Sequence, residues 1–371
     1  MTTSRDIRRA RMDDVPALQQ FFQQSYGPDT VFKSADFLQW FLGGVSSVDT
    51  SSPELLNAYV ALDGARVVAH YGYIPTRLRV GGSEVPHVWG VNAYTLPEVR
   101  GEGLGRKLVD VVRAQFESFG VIGFSSSTAD FYASLGFNVF EKRRFRRHVL
   151  VLQPEIADIV ALIGTTEHPG AEKLTRMASL PHTTAAASTA DPDSWIDAVP
   201  SALEAICSPV RDRAWLRWRF SPRSLLDYQT RYLVSSLVDR AMIAFRTVAL
   251  PPTRHVMTRV VDLFGDLASS RALLLETCLR ARDAGHIYVE LSSMGSLYDE
   301  LLQELGFVLL EDDEQSCLPL LTSPVAFKSN TEYVGLSSRG DDPLTRSLRS
   351  ESVYFTSADS DRDRRGRLAA G

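Results

Sequence analysis

A chain of 371 residues with 44% apolar and 23% charged side chains is not disordered by composition, and at roughly 100–200 residues per domain it has room for two cores. Its formal net charge of -5 gives no overall attraction to phosphate backbones, so nucleic acid is not an expected partner. No run of about 18 uninterrupted apolar residues occurs, which argues against a membrane-spanning helix, and Cys207, Cys278 and Cys317, widely separated and without metal-type spacing, point to a reduced, cytoplasmic protein with no bound metal.

In chain order, Ile7–Ala10 reads as a strand, and Val15, Leu18, Phe21 and Phe22 follow Asp13-Asp14 at the spacing of one helical face. A second helix is predicted around Asp36–Phe41. Ala58–Leu62, the turn Asp63-Gly64 and Val67–Val80 read as a hairpin, and Gly81-Gly82 turns into His87–Thr95. Leu104, Leu108, Val111, Val112 and Phe116 restore a helical period, Val121–Phe124 returns to strand, and a short helix ends at Gly136. The cluster Lys142-Arg143-Arg144-Phe145-Arg146-Arg147 is the one basic patch, read as a charged edge strand that resists sheet-to-sheet pairing.

Residues 153–200, rich in Thr, Ala, Ser, Pro and Asp from Gly164 onward, are expected to be a connecting segment. The chain then repeats itself in part: Phe37-Leu38-Gln39-Trp40-Phe41 is echoed by Trp215-Leu216-Arg217-Trp218-Arg219-Phe220, and Leu135-Gly136-Phe137 by Leu305-Gly306-Phe307. Between these markers come a hairpin-like stretch (Tyr232–Thr247), a strand (Val256–Leu263), a helix (Ser270–Asp283) and a strand (Ile287–Leu291). The expected organisation is two related α/β domains in tandem, 1–152 and 201–335, followed by a polar extension, 336–371, that is mobile toward its end.

The chemistry concentrates in Thr95-Leu96-Pro97-Glu98-Val99-Arg100-Gly101-Glu102-Gly103-Leu104-Gly105-Arg106, between a strand and an amphipathic helix. A helix N-terminus offers unpaired N–H groups and a partial positive charge, and glycines keep side chains out of an anion's way. A dinucleotide-binding βαβ unit would place such a loop near the start of a parallel sheet, whereas here a meander precedes it.

The segment resembles the GNAT superfamily of N-acyltransferases, whose mark is Arg or Gln, two residues, Gly, one residue, then Gly or Ala. Arg100, Gly103 and Gly105 fit, and a second family mark follows at Phe131-Tyr132-Ala133-Ser134-Leu135-Gly136-Phe137. The resemblance covers residues 5 to about 150. It implies a mixed, mostly antiparallel sheet flanked by helices, with acetyl-CoA as co-substrate. The pantetheine arm would pair with Ala93, Tyr94 and Thr95, and N–H groups along Gly101, Glu102, Gly103, Leu104, Gly105 and Arg106 would hold the pyrophosphate. Tyr132 would face the sulfur as the proton donor, since a phenol stays protonated at neutral pH. No Glu or Asp lies on either central strand to serve as base. The acceptor then attacks as an already neutral amine or through a water relay, or His70 or His87, the nearest titratable candidates on the acceptor side, takes its proton; Asn92 lies on the splayed strand, where backbone N–H groups could meet a developing oxyanion.

The second domain lacks this equipment: Leu302 stands where Tyr132 would, and Asp262–Ser270 has no glycine loop. A tandem of one active and one degenerate half resembles bacterial amino-sugar and polysaccharide-modifying acetyltransferases, with which the stretch Tyr354–Asp361 also shows likeness. Asp359 and Asp361 then read either as groups that meet an amino group or sugar hydroxyls, or as solvated tail charges. The expected activity is N-acetyl transfer to a small-molecule amine, an amino sugar among the candidates, by direct attack in a ternary complex. The alternatives are a non-catalytic acyl-CoA sensor or scaffold and an aminoacyl-tRNA-dependent transferase; the acceptor, the acyl length and the oligomeric state are open.

Overall fold

The computed structural model describes residues 5–44, 52–80, 82–116, 118–124, 126–139, 145–181, 188–195, 197, 203, 206–311, 314–321, 325–326, 333–338 and 353–368. Lys142, Arg143 and Arg144 of the basic cluster and Gly81 of the predicted turn lie outside these residues.

The first half runs β1 (Asp6–Arg11), α1 (Val15–Tyr26), α2 (Ala35–Leu42), β2 (Leu55–Asp63), β3 (Arg66–Val80), β4 (Ser83–Thr95), α3 (Leu104–Arg113), β5 (Ser118–Phe124), α4 (Ser126–Ser134) and β6 (Asn138–Val139). This matches the predicted order. α3 shows why: Leu104, Leu108, Val109 and Val112 fall on one buried face while Arg106, Lys107 and Asp110 face out. β7 (Phe145–Val151), α5 (Ile156–Ile163), α6 (Pro169–Lys173), β8 (Ser208–Pro209) and α7 (Arg213–Arg219) follow. The second half then runs β9 (Gln229–Val234), β10 (Arg240–Ala249), β11 (Val256–Gly265), α8 (Leu267–Asp283), β12 (Tyr288–Met294), α9 (Asp299–Glu304), β13 (Val308–Leu310), β14 (Tyr333–Ser338) and β15 (Phe355–Thr356).

These strands form two mixed sheets. The first has the order β1-β2-β3-β4-β5-β14-β6, and the second β13-β7-β12-β11-β10-β9, with β8 joined to β3 and β15 to β12. Each sheet takes one interior strand from the other half. β7 pairs antiparallel with β12 and β13, and β14 takes the matching slot between β5 and β6. The described part of the basic cluster, Phe145, Arg146 and Arg147, is therefore not an edge strand. Arg147 is buried and paired with Glu290, and Arg146 reaches Asp299, because β7 is interior to the second sheet.

Two further expectations are corrected. The connecting segment carries α5, which packs Ile156, Ile159 and Val160 against Val149, Val151 and Leu318. The C-terminal extension is not a solvated tail where it is described: Val353 to Ser360 and Asp363 are buried, because their charges meet arginines of the second half. The repeat markers Trp40, on α2, and Trp218, on α7, meet each other. Each indole N–H donates to the other's carbonyl at 3.0 Å, with the rings stacked at 5.6 Å.

His70 and His87 lie in the core beneath the first sheet, which corrects their reading as titratable acceptor groups. His70 packs on Phe22, and His87 packs on Trp89 with Nδ1 2.8 Å from Ser118 Oγ. Burial lowers their pKa values to about 4 and about 3. The unfolded chain therefore binds more protons than the folded one below about pH 6.5, and stability falls as the pH drops from there. Chemical denaturation at pH 7 and pH 5 is expected to show a loss of about 2 kcal/mol for each histidine. His87→Phe should shrink that loss; equal stability at both pH values would refute the assignment.

Candidate active site

β4 and β5 run parallel from His87↔Ser118 to Gly90↔Val121 and then part. The parting coincides with an extra residue in β4, where its register against β3 steps from Gly72↔Val91 to His70↔Tyr94. Asn92 occupies this bulge at φ 51, a left-handed conformation that Asn tolerates better than most residues. His70 holds the bulge from behind, its Nδ1–H donating to the Asn92 carbonyl at 2.9 Å. Beyond Gly90, β4 turns toward β5 an edge that no strand pairs among the described residues, and that edge carries Ala93, Tyr94 and Thr95.

At the outer end of the gap stands the glycine loop. Gly101 and Gly103 adopt φ 91 and 73, and a β-carbon at either would meet nothing within 4 Å. Gly103 is the N-cap of α3 and no side chain caps the helix, so the first-turn N–H groups of Leu104, Gly105 and Arg106 face open space. The charges around the loop are arranged to match. The Glu102 carboxylate is drawn aside to Arg5 at 3.3 Å, while Arg100 is fixed by a 3.2 Å bond to Thr95 O and by Tyr94 beneath its guanidinium. Arg106 lies across α4, donating to Ser134 Oγ at 3.0 Å. An uncapped helix N-terminus with flanking arginines and no intruding side chain fits a pyrophosphate.

At the inner end lies a cavity of about 260 Å³, walled by Tyr26, Asn92, Gly123, Tyr132, Asp361 and Arg364 among others. Tyr132, on α4, is buried, and its hydroxyl lies 3.2 Å from that of Tyr71. Only glycine at position 90 allows this, because a β-carbon there would come within 2.3 Å of Tyr71 Oη. Burial pushes the Tyr132 phenol up to about 12; the Tyr71 hydrogen bond opposes that rise and Asp361 adds to it. Asn92 Oδ1 accepts from Arg364 at 3.2 Å, while its Nδ2 is buried without a partner. Arg364 also donates to Asp361 at 2.9 Å. Of the residues singled out from the sequence, the glycine loop, Ala93 and its neighbours, Asn92 and Tyr132 are thus brought to one gap, and His70 and His87 do not line it. Tyr26 had no sequence signal of its own, and Asp361 had only the likeness of its surroundings.

The equivalent gap of the second half is closed. β11 carries a matching bulge, where the register steps from Phe245↔Val260 to Ala244↔Asp262, and β11 and β12 pair in parallel only as far as Val260↔Leu291. Into the opening goes the chain's own C-terminal segment: β15 pairs with β12, and Ala358 N donates to Val261 O at 3.0 Å. At the start of α8 the N-cap is Asp266, whose carboxylate accepts from Ser269 N at 2.9 Å. That places a negative charge where a phosphate would need to sit. The described residues contain no cluster able to hold a metal ion, no helix long and apolar enough to cross a membrane, and no disulfide, the three cysteines being free and buried.

Residues 55–139, which include β4, the glycine loop and Tyr132, match the acetyltransferase (GNAT) domain family. No curated protein sequence matches the chain. Among solved structures, the Saccharomyces cerevisiae N-myristoyltransferase with bound myristoyl-CoA is 11% identical, with 96% of this chain and 85% of that one covered at a TM-score of 0.53. A GCN5-related N-acetyltransferase from Kribbella flavida is 13% identical, with 89% and 71% covered at a TM-score of 0.53. A conserved protein of unknown function from Enterococcus faecalis V583, described as a probable N-acyltransferase, is 10% identical, with 90% and 72% covered at a TM-score of 0.50. At these identities the likeness is one of fold, and it extends over both halves: two mixed sheets flanked by helices, arranged as in these acyltransferase structures, with the family match confined to residues 55–139.

Proposed function

We propose that the protein is an acyl-CoA-dependent N-acyltransferase with a single coenzyme site, in the first half, and that it transfers an acetyl group to the amine of a small molecule such as an amino sugar. The observation that carries this reading is the contrast between the two gaps: one open, glycine-capped and floored by a tyrosine, the other filled and capped by an aspartate. The three buried, unbridged cysteines fit a cytoplasmic setting.

Bound acetyl-CoA supplies the thioester carbonyl. The chain's own groups bind and orient: the N–H groups at the start of α3 hold the pyrophosphate, and the free edge at Ala93–Thr95 pairs with the pantetheine amides. The cavity admits the amine from the side of Tyr26 and Asp361. As the nitrogen bonds to the carbonyl carbon the C–S bond breaks, the electron pair leaves on sulfur, and the Tyr132 hydroxyl donates a hydrogen bond to it. Tyr132 stays protonated throughout the neutral range, which a donor requires.

Calorimetric titration of acetyl-CoA into the full chain tests the reading, with one binding site expected. Gly103→Val, which places a branched side chain over the helix N-terminus and strains a left-handed backbone, should weaken binding about tenfold or more. Unchanged affinity in a folded variant would remove the loop from the site. Tyr132→Phe should lower kcat about tenfold to a hundredfold while leaving acetyl-CoA affinity near normal; an unchanged kcat would take the hydroxyl out of the reaction. Steady thiol release with a panel of amines separates an enzyme from an acyl-CoA sensor, which would bind the thioester and release nothing above background.

A further inference from the structure

The C-terminal segment carries aspartates at alternate positions, Asp359, Asp361 and Asp363, and the structure treats the three differently. Asp359 sinks into the second half, where it accepts one hydrogen bond from Arg211 at 3.0 Å and makes an ion-pair contact with it at 2.9 Å; Arg211 is shared with Asp262 at 2.7 Å, and all three side chains are essentially inaccessible. Asp363 takes two bonds from Arg246, at 2.9 and 3.1 Å, and one from the Tyr228 hydroxyl at 2.8 Å, with Arg259 at 3.4 Å. Between them Ser360 reverses the backbone at φ 58, and Asp361 lines the first-half cavity instead. A few residues further on the strand of contacts crosses to the first half, where Val31 N donates to Gly366 O at 3.1 Å and Leu368 N to Asp29 O at 3.0 Å. The segment is a strap tied down on both sides of the residue it exposes to the cavity.

A free amine that attacks a thioester must lose a proton, and neither β4 nor β5 carries an acidic residue beyond Glu84, at the far end of β4 from the bulge. Asp361 is the carboxylate on the cavity wall, and the same wall holds the unpartnered, buried Asn92 Nδ2. We infer that the second half is a presenting device: its coenzyme gap has become the seat of the strap, and the clamps on Asp359 and Asp363 position Asp361 as the base that takes the proton from the acceptor nitrogen. The inference rests on the acyltransferase reading above. The bookkeeping of the step is simple: the N–C bond forms, the C–S bond breaks with its electron pair on sulfur, and the nitrogen's proton passes to the Asp361 carboxylate. Asp361 is thereby a catalytic residue, and Asp363, which acts through it, is a positioning residue.

The test uses the full chain with acetyl-CoA and an amine that the wild type acetylates. Asp361→Asn should bind acetyl-CoA as the wild type does and lose roughly 10²–10⁴-fold in kcat, and formate should restore part of the turnover of Asp361→Gly. Asp363→Asn should likewise keep acetyl-CoA affinity and lose about tenfold or more in kcat, with Asp363→Glu recovering part of the loss. If Asp363→Asn does not fold, Arg246→Lys, which keeps the buried charge but not the two-pronged geometry, carries the same expectation. A wild-type kcat in Asp361→Asn would overturn the base assignment. A wild-type kcat in Asp363→Asn or Arg246→Lys, or equal losses in Asp363→Asn and Asp363→Glu, would overturn the positioning role. Failure of the wild type itself to bind acetyl-CoA or release thiol would instead count against the acyltransferase reading.

Discussion

Every other feature of the molecule depends on the exchange of one strand between its halves. A sheet that lacks an interior strand has unpaired N–H and C=O groups on two neighbours, and burying such groups without partners costs more than most side-chain contacts return. β5 and β6 meet only through β14, and β12 and β13 only through β7. Neither half completes its sheet alone, so the two interlock despite having separate cores. The interlock also fixes how far apart the two gaps lie, which is what allows a single short strap to be seated in one and to wall the other.

The two gaps show how small changes decide whether a shared backbone binds an anion. Both have a bulged strand beside a parallel neighbour that diverges from it. In the first, glycine at the helix N-cap leaves the N–H groups bare; in the second, an aspartate at the same place satisfies them and brings its own negative charge. The second gap then offers polar backbone edges that need a partner, and β15 supplies it. Its arginines, buried where solvent cannot screen them, would be costly if left alone. The strap's aspartates face them, and burial and pairing pull against one another: at Asp363 burial pushes the carboxyl up but Arg246 and Arg259 outweigh it and hold it well below the usual carboxylate range, whereas at Asp359 burial outweighs Arg211 and the carboxyl is raised.

Much of this was legible in the sequence, because it is local. The helical period of α3, the hairpin turn at Asp63-Gly64 and the glycine loop are written in neighbouring residues, and so is the absence of such a loop from Asp262–Ser270. The exchange was not legible. Nothing local in Phe145–Val151 names β12 and β13, which lie in the second half, as its partners. The strap was misread for a related reason: a run of alternating Asp and Arg looks solvated until its partners are known, and Arg211 and Arg246 lie more than a hundred residues away from the aspartates they hold. His70 and His87 were over-read, because a histidine's titration depends on burial that the sequence does not show.

The pair Trp40 and Trp218 has one more consequence. Each indole makes toward the other's carbonyl the same bond it receives, which is the self-complementary pattern of an interface between two identical subunits related by a two-fold axis. In such a dimer any substitution appears on both sides at once, so a charge that filled one subunit's gap would fill the other's as well. Joining the two subunits in one polypeptide lifts that restriction. It makes room for the asymmetry seen here, in which one gap is surrendered to a strap and the other keeps its opening.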